Sequence, residues 1–173
     1  MHPKKVVVIG PECTGKSTLC ASLADELDTV WVPEYARAYL DDLGRPYEET
    51  DLLEIAAGQL LAEDSLLSQA NGFLFCDTDL HVLKTWSHER YGRCHRRILE
   101  AIALRHYDAY LLTYPDIPWT PDPQREHPDP KDRVRLWHHY HDAVQASDFP
   151  WLDVRGPNEV RVQSALDFIE SMA

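Results

Sequence analysis

The hydrophobic positions of the chain follow two alternating periods. Lys5 to Ile9 is a β-branched run and predicts a buried strand. From Gly15 to Leu27 the period becomes helical, with Leu19, Leu23 and Leu27 four apart. Val30 to Val32 predicts a second short strand, stopped by Pro33, and Tyr35 to Leu43 a helix closed by Gly44. Thr50 or Asp51 is expected to cap a long helix reaching about Gln69, with Leu52, Ile55, Ala56, Gln59, Leu60, Glu63 and Leu67 in register. Asn71-Gly72 turns the chain into a buried strand, Phe73 to Cys76. Helices are expected over Leu80 to Ser87 and Arg93 to Arg105, divided at Tyr91-Gly92, and Ala109 to Thr113 reads as a fourth strand. Lys131 to Ala146 predicts a helix with Val134, Trp137, His141 and Val144 on its buried stripe. Trp151 to Val154 predicts the fifth strand, and Asn158 is expected to cap a last helix through Met172.

Strands alternating with helices imply an α/β domain, a parallel sheet with helices on both faces. One domain over residues 1–173 accommodates all of it. The segment between Tyr114 and Pro130 carries six prolines and reads as a long loop with its own role.

Composition narrows the function. The formal net charge of -12 argues against a nucleic-acid backbone as partner, because such binders need a basic footprint. Apolar runs such as Val6 to Ile9 fall far short of the roughly 20 residues of a membrane span. MHPKK leads straight into a strand, so no signal peptide is expected. Cys13, Cys20, Cys76 and Cys94 form no CxxC pair, which predicts a reducing cytoplasm rather than a disulfide framework. His88, Cys94 and His95 match no common zinc spacing. Self-association is left open.

The strongest chemical signal is Gly10-Pro-Glu12-Cys13-Thr14-Gly15-Lys16-Ser17-Thr18. It satisfies GxxxxGK[ST] with a strand before it and a helix after it. Backbone amides and the helix N-terminus supply positive potential for phosphates. Lys16 is expected to reach the β and γ phosphates of ATP, and Ser17 to ligate Mg2+. Thr18 more often serves the helix. Asp77 follows a buried strand at the sheet edge where ligands bind, so it suits a water-mediated magnesium contact or proton acceptance. Asp79 is a substrate contact or the cap of the helix starting at Leu80. Glu34, Tyr35 and Arg37 follow the second strand on the same edge. Glu34 is a candidate acceptor of substrate hydroxyl hydrogens, Tyr35 offers a ring and Arg37 a fork for phosphate. Trp119 suits stacking on a flat ring, while Arg125, Arg133 and Arg135 suit a lid that closes over a triphosphate. His138, His139 and His141 read as structural or surface residues.

Four stretches in this order, GPECTGKST, PEYAR at 33–37, FCDTD at 75–79 and PDIPW at 115–119, resemble the ribosylnicotinamide kinase domain of the NadR type. The resemblance covers nearly the whole chain. It implies a P-loop NTPase-type three-layer sandwich with strand order 2-3-1-4-5. It also implies ATP-dependent phosphorylation of the 5′-hydroxyl of nicotinamide riboside. By that analogy Trp119 stacks on the nicotinamide, Glu34 and Asp77 hold or activate ribose hydroxyls, Arg125 and Arg133 belong to a lid over about 114–135, and Gly156 and Arg161 lie near the adenine. The family commonly carries an acidic pair and Gly-Leu before the lid arginine, where this chain has Thr-Pro-Asp-Pro-Gln before Arg125. The adenylyltransferase and DNA-binding domains of some members are not expected here. A kinase for another nucleoside or nucleotide, a regulatory ATPase and a nucleic-acid end kinase are the rival readings.

Overall fold

A computed structural model describes residues 2–172. The elements run β1 (Lys4–Ile9), α1 (Lys16–Glu26), β2 (Trp31–Val32), α2 (Tyr35–Leu43), α3 (Glu49–Leu67), β3 (Phe73–Asp77), α4 (Leu80–Tyr91), α5 (Arg96–Leu104), β4 (Ala109–Thr113), α6 (Pro130–Gln145), β5 (Trp151–Val154) and α7 (Asn158–Glu170). The five strands form one parallel sheet in the order β2-β3-β1-β4-β5, as expected. Val6 lies beside Phe75 on one side and Ala109 on the other, which makes β1 the central strand.

The pleat divides β1 between two cores. Val6 and Val8 point into a cluster with Leu19 and Leu23 of α1, Phe75, Leu111, and Ala165 and Ile169 of α7. Val7 and Ile9 point the other way, into a cluster with Leu74, Tyr110, Leu112, and Trp137 and Val144 of α6. A third cluster, with Leu52, Ile55, Leu83 and Ile98, ties α3, α4 and α5 together. The result is helix, sheet, helix, with both faces of the sheet covered. Among the described residues no helix is long and apolar enough to cross a membrane.

Several boundaries differ from the sequence expectation. The cap of α3 is Glu48 rather than Thr50 or Asp51. Glu48 and Asp51 form a reciprocal capping box, and Asp51 also accepts from Arg45 and Tyr39. The N-cap of α7 is Pro157; Asn158 is already helical and donates to Ser22 Oγ at 3.1 Å. Helix α4 continues past Ser87 to Tyr91 and stops on left-handed Gly92. On α6 the fully buried residues are Arg133, Leu136, Trp137, Tyr140 and Val144, while Val134 and His141 are half-buried. The stripe turns this way because Arg133 reaches inward to the phosphate loop. His138 and His141 pack on Trp137, each with its ring centroid 5.1 Å away.

Candidate active site

The loop between β1 and α1 closes over the end of β4. A side chain on Gly10 would overlap Thr113, whose carbonyl oxygen would lie 2.6 Å from the Cβ, so only glycine lets the strand pass there. Gly15 is left-handed (φ 77°) and occupies the N-cap of α1, with no side chain capping the first-turn amides. Those donors are left for a ligand. The loop braces itself: Thr14 Oγ1 donates to the Pro11 carbonyl (2.8 Å) and meets Thr113 Oγ1 at 2.7 Å. Lys16 Nζ folds back onto the Pro11 carbonyl at 2.8 Å. Ser17 Oγ donates to Asp77 Oδ2 at 2.5 Å, while Asp77 Oδ1 is buried without a partner.

A cleft of about 260 Å³ opens beside this loop. Its floor is Gly10 and Glu12 to Thr18. Glu34 and Arg37 enter from the end of β2 and start of α2, Asp122, Gln124 and Arg125 from the proline-rich segment, Val82 and Trp86 from α4, and Tyr140 from α6. A smaller cavity of about 170 Å³ adjoins it, sharing Trp86 and Gln124 and extending to Leu40 and Tyr47.

Two carboxyls respond to these surroundings. Burial pushes Glu34 up to about 7; Asp77 adds to the rise and Lys16 opposes it. Burial also raises Asp77, against the pull of Lys16 and the Ser17 hydrogen bond.

The proline-rich segment is latched to the phosphate loop. The Glu12 carboxylate accepts the backbone N–H of Glu126 (3.0 Å) and of His127 (3.1 Å). Cys13 Sγ lies 3.5 Å from the Pro118 carbonyl and 3.3 Å from the Thr120 amide, and Arg133 donates to the Cys13 carbonyl at 2.7 Å. Farther along, Arg37 pairs with Asp122 at 3.0 Å. Arg125 lines the cleft, donates to the Thr120 carbonyl and keeps a buried Nε without a partner.

Several expected site residues, Arg133 among them, do not line the cleft. Trp119 does not line the cleft; the guanidinium groups of Arg125 and Arg133 lie 5.8 and 5.6 Å from its ring centroid. Asp79 is spent on structure: it caps α4 through the His81 amide (2.9 Å), and also binds the His81 ring and the Tyr110 hydroxyl, both at 2.8 Å. Tyr35 packs its ring against Gly58 of α3, where a side chain would overlap it. Arg135 forms a bidentate pair with Glu89 outside the cleft, at 2.8 Å for each bond. Arg161 is 2% exposed and fully engaged, donating to the carbonyls of Thr14, Tyr114 and Gly156 and to Asp116, whose other oxygen accepts the Gly156 amide. Arg161 and Gly156 therefore buttress the phosphate loop from behind. Conversely, sequence reasoning missed Val82, Trp86, Asp122, Gln124 and Tyr140. The four-residue spacing of Val82 and Trp86, on a helix that begins directly after the Thr78-Asp79 turn, was the available signal.

A family model described as an AAA domain, AAA_28, matches residues 5–161. The chain belongs to that family. Within the AAA_28 match lie the phosphate loop, Glu34, Asp77, the latched segment and Arg161. The chain is also similar to the trifunctional NAD biosynthesis/regulator protein NadR of Salmonella typhimurium and of Escherichia coli. Identity to each is 30% over 125 residues, covering 69% of this chain and 30% of the relative. The chain thus spans under a third of those proteins. Among solved structures, NadR in complex with NR superposes with a TM-score of 0.79 at 20% identity, over 99% of this chain and 52% of that one. Thymidylate kinase from Candida albicans superposes with a TM-score of 0.69 at 12% identity, over 98% and 92% of the two chains. These likenesses establish a shared P-loop fold.

Proposed function

We propose that this AAA_28 chain is an ATP-dependent kinase that transfers the γ-phosphoryl group to the 5′-hydroxyl of nicotinamide riboside. The observation that carries the reading is the junction of the phosphate loop with two carboxyls: buried Asp77, bonded to Ser17, and half-buried Glu34 in the adjoining cleft. The similarity to NadR supports the choice of acceptor.

The residues divide the work. The bare amides of the loop and α1 hold the ATP phosphates, and Lys16 releases Pro11 to reach the transferred group. Ser17 and the unpartnered oxygen of Asp77 form a hard-oxygen donor set that fits Mg2+. When bound, that ion neutralises charge on the phosphate oxygens. Glu34 takes the 5′-hydroxyl proton as the acceptor oxygen forms its bond to the γ-phosphorus and the bond to ADP breaks. Residues 114–135 act as the lid, with Arg125 as its charge-neutralising side chain. The acceptor ring lies against Trp86, where the cleft meets its smaller neighbour.

A coupled ADP-release assay with ATP, Mg2+ and a panel of acceptors tests the function. Turnover on nicotinamide riboside, giving the mononucleotide, is expected; turnover on another nucleoside alone discards the acceptor, and equal slow release with every acceptor and with buffer discards the kinase. Trp86→Ala is expected to raise KM for the riboside about tenfold, the loss of one ring contact and its buried area. KM for ATP should stay within about twofold. Equal effects on both substrates would place the ring contact elsewhere.

A further inference from the structure

A third cavity, of about 310 Å³, lies between α4 and α6, outside the catalytic cleft. The same two helices wall both spaces. On α4, Val82 and Trp86 face the cleft, whereas His81, Lys84, Thr85 and His88, at helical spacings of three and four, face the groove. On α6, Tyr140 faces the cleft and His139 the groove.

The groove's chemistry has one sign. Its single acidic residue, Glu89, is already held by both nitrogens of the Arg135 fork. Among the described residues, Lys84, His88 and His139 take part in no salt bridge. His81 forms the inner wall with 17% of its side chain exposed, its ring fixed by Asp79. Burial works against charge on that ring, but the Asp79 carboxylate outweighs it and raises the pKa. Among the described residues no group of three or more His, Cys, Asp or Glu side chains is placed to hold a metal ion. In a chain of net charge -12, a concave region whose polar side chains free of carboxylate partners are a lysine, two histidines and a threonine offers a charge and hydrogen-bond donors to an anion.

We infer that the α4–α6 groove is a second binding site, taking a small phosphate-bearing anion on Lys84, His88 and His139 with the Thr85 hydroxyl beside them. An occupant there braces α4 against α6, the two helices that carry Trp86 and Tyr140 into the catalytic cleft. The site is independent of the proposed kinase activity.

NMR of the histidine ring protons, on the full chain with Lys16→Ala to weaken the phosphate loop, reads it directly. Titration with inorganic phosphate is expected to move the His88 and His139 signals saturably, with a dissociation constant on the order of 1 mM. Potassium chloride at matched ionic strength should not reproduce this. Lys84→Ala, and Lys84→Gln should the first variant fold poorly, is expected to weaken binding about tenfold. Ribose 5-phosphate in a parallel titration identifies the source: tighter binding than phosphate indicates a phosphorylated metabolite, weaker binding the free ion. Unsaturable shifts, shifts that chloride reproduces, or binding unchanged without Lys84 would each overturn the site.

Discussion

Replacing Lys16 by alanine is expected to lower kcat for phosphoryl transfer by about 10³-fold, the effect of losing one preorganised group aimed at developing charge. Without ligand, the Lys16 ammonium is parked on the Pro11 carbonyl by one hydrogen bond of 2.8 Å, in a half-buried position. Such a bond stabilises the fold by about 1 kcal/mol, so thermal unfolding should change little. The rest of the loop's scaffold does not involve Lys16: Thr14 is fixed by Pro11 and Thr113, and Arg161 supports the Thr14 carbonyl from behind. The first-turn amides of α1 also remain, so ATP affinity should fall less than kcat. Single-turnover transfer, measured with nucleotide affinity and a thermal melt, separates these quantities. Full transfer activity in the variant would refute the assignment of the phosphate loop, and a lost melting transition would show that Lys16 is a structural residue instead.

The fold was legible because its signals are local. β1 is a continuous β-branched run, α1 repeats leucine every four residues, and Gly10 and Gly15 stand where the loop requires glycine. Lys16 and Ser17 were placed by the GxxxxGK[ST] motif, and Glu34 and Asp77 by the rule that parallel sheets bind ligands at the carboxyl ends of their strands. What failed was direction. Asp79 takes the second of its two expected roles, the cap of α4, through its neighbour His81; Arg161 has the right charge near the right edge, but Asp116, distant in sequence, claims its side chain. Trp119 sits in a loop whose path is set by Glu12 and Cys13 from over a hundred residues away, a long-range pairing with no periodicity to read. Trp86 escaped notice because α4 is largely polar, and its cleft-facing pair, Val82 and Trp86, is only one turn long.

Glu34→Gln is expected to reduce kcat/KM for the acceptor by about 10²- to 10⁴-fold, the range for removing a general base. It should also change the pH profile. Burial and the neighbouring Asp77 raise the Glu34 carboxyl to about 7, so the free enzyme carries it protonated below that pH. Wild-type kcat/KM should therefore climb about tenfold per pH unit below about 7 and level off above it. In Glu34→Gln the climb should vanish. In Asp77→Asn the rate should fall but the climb persist, displaced to lower pH because a negative neighbour of Glu34 has been removed. A climb that survives in Glu34→Gln and disappears in Asp77→Asn would reverse the two roles. Stability provides a readout free of catalysis. Between the ordinary value of 4.5 and about 7, the folded chain retains a proton that the unfolded chain releases. This group's contribution therefore makes the fold less stable as pH rises through that window, and is constant above it. Glu34→Gln removes the burial of that charge and should stabilise the ligand-free protein at pH 8 by about 1–3 kcal/mol. The gain should shrink toward zero as pH falls below 4.5, where Glu34 is protonated in the folded protein and increasingly so in the unfolded chain.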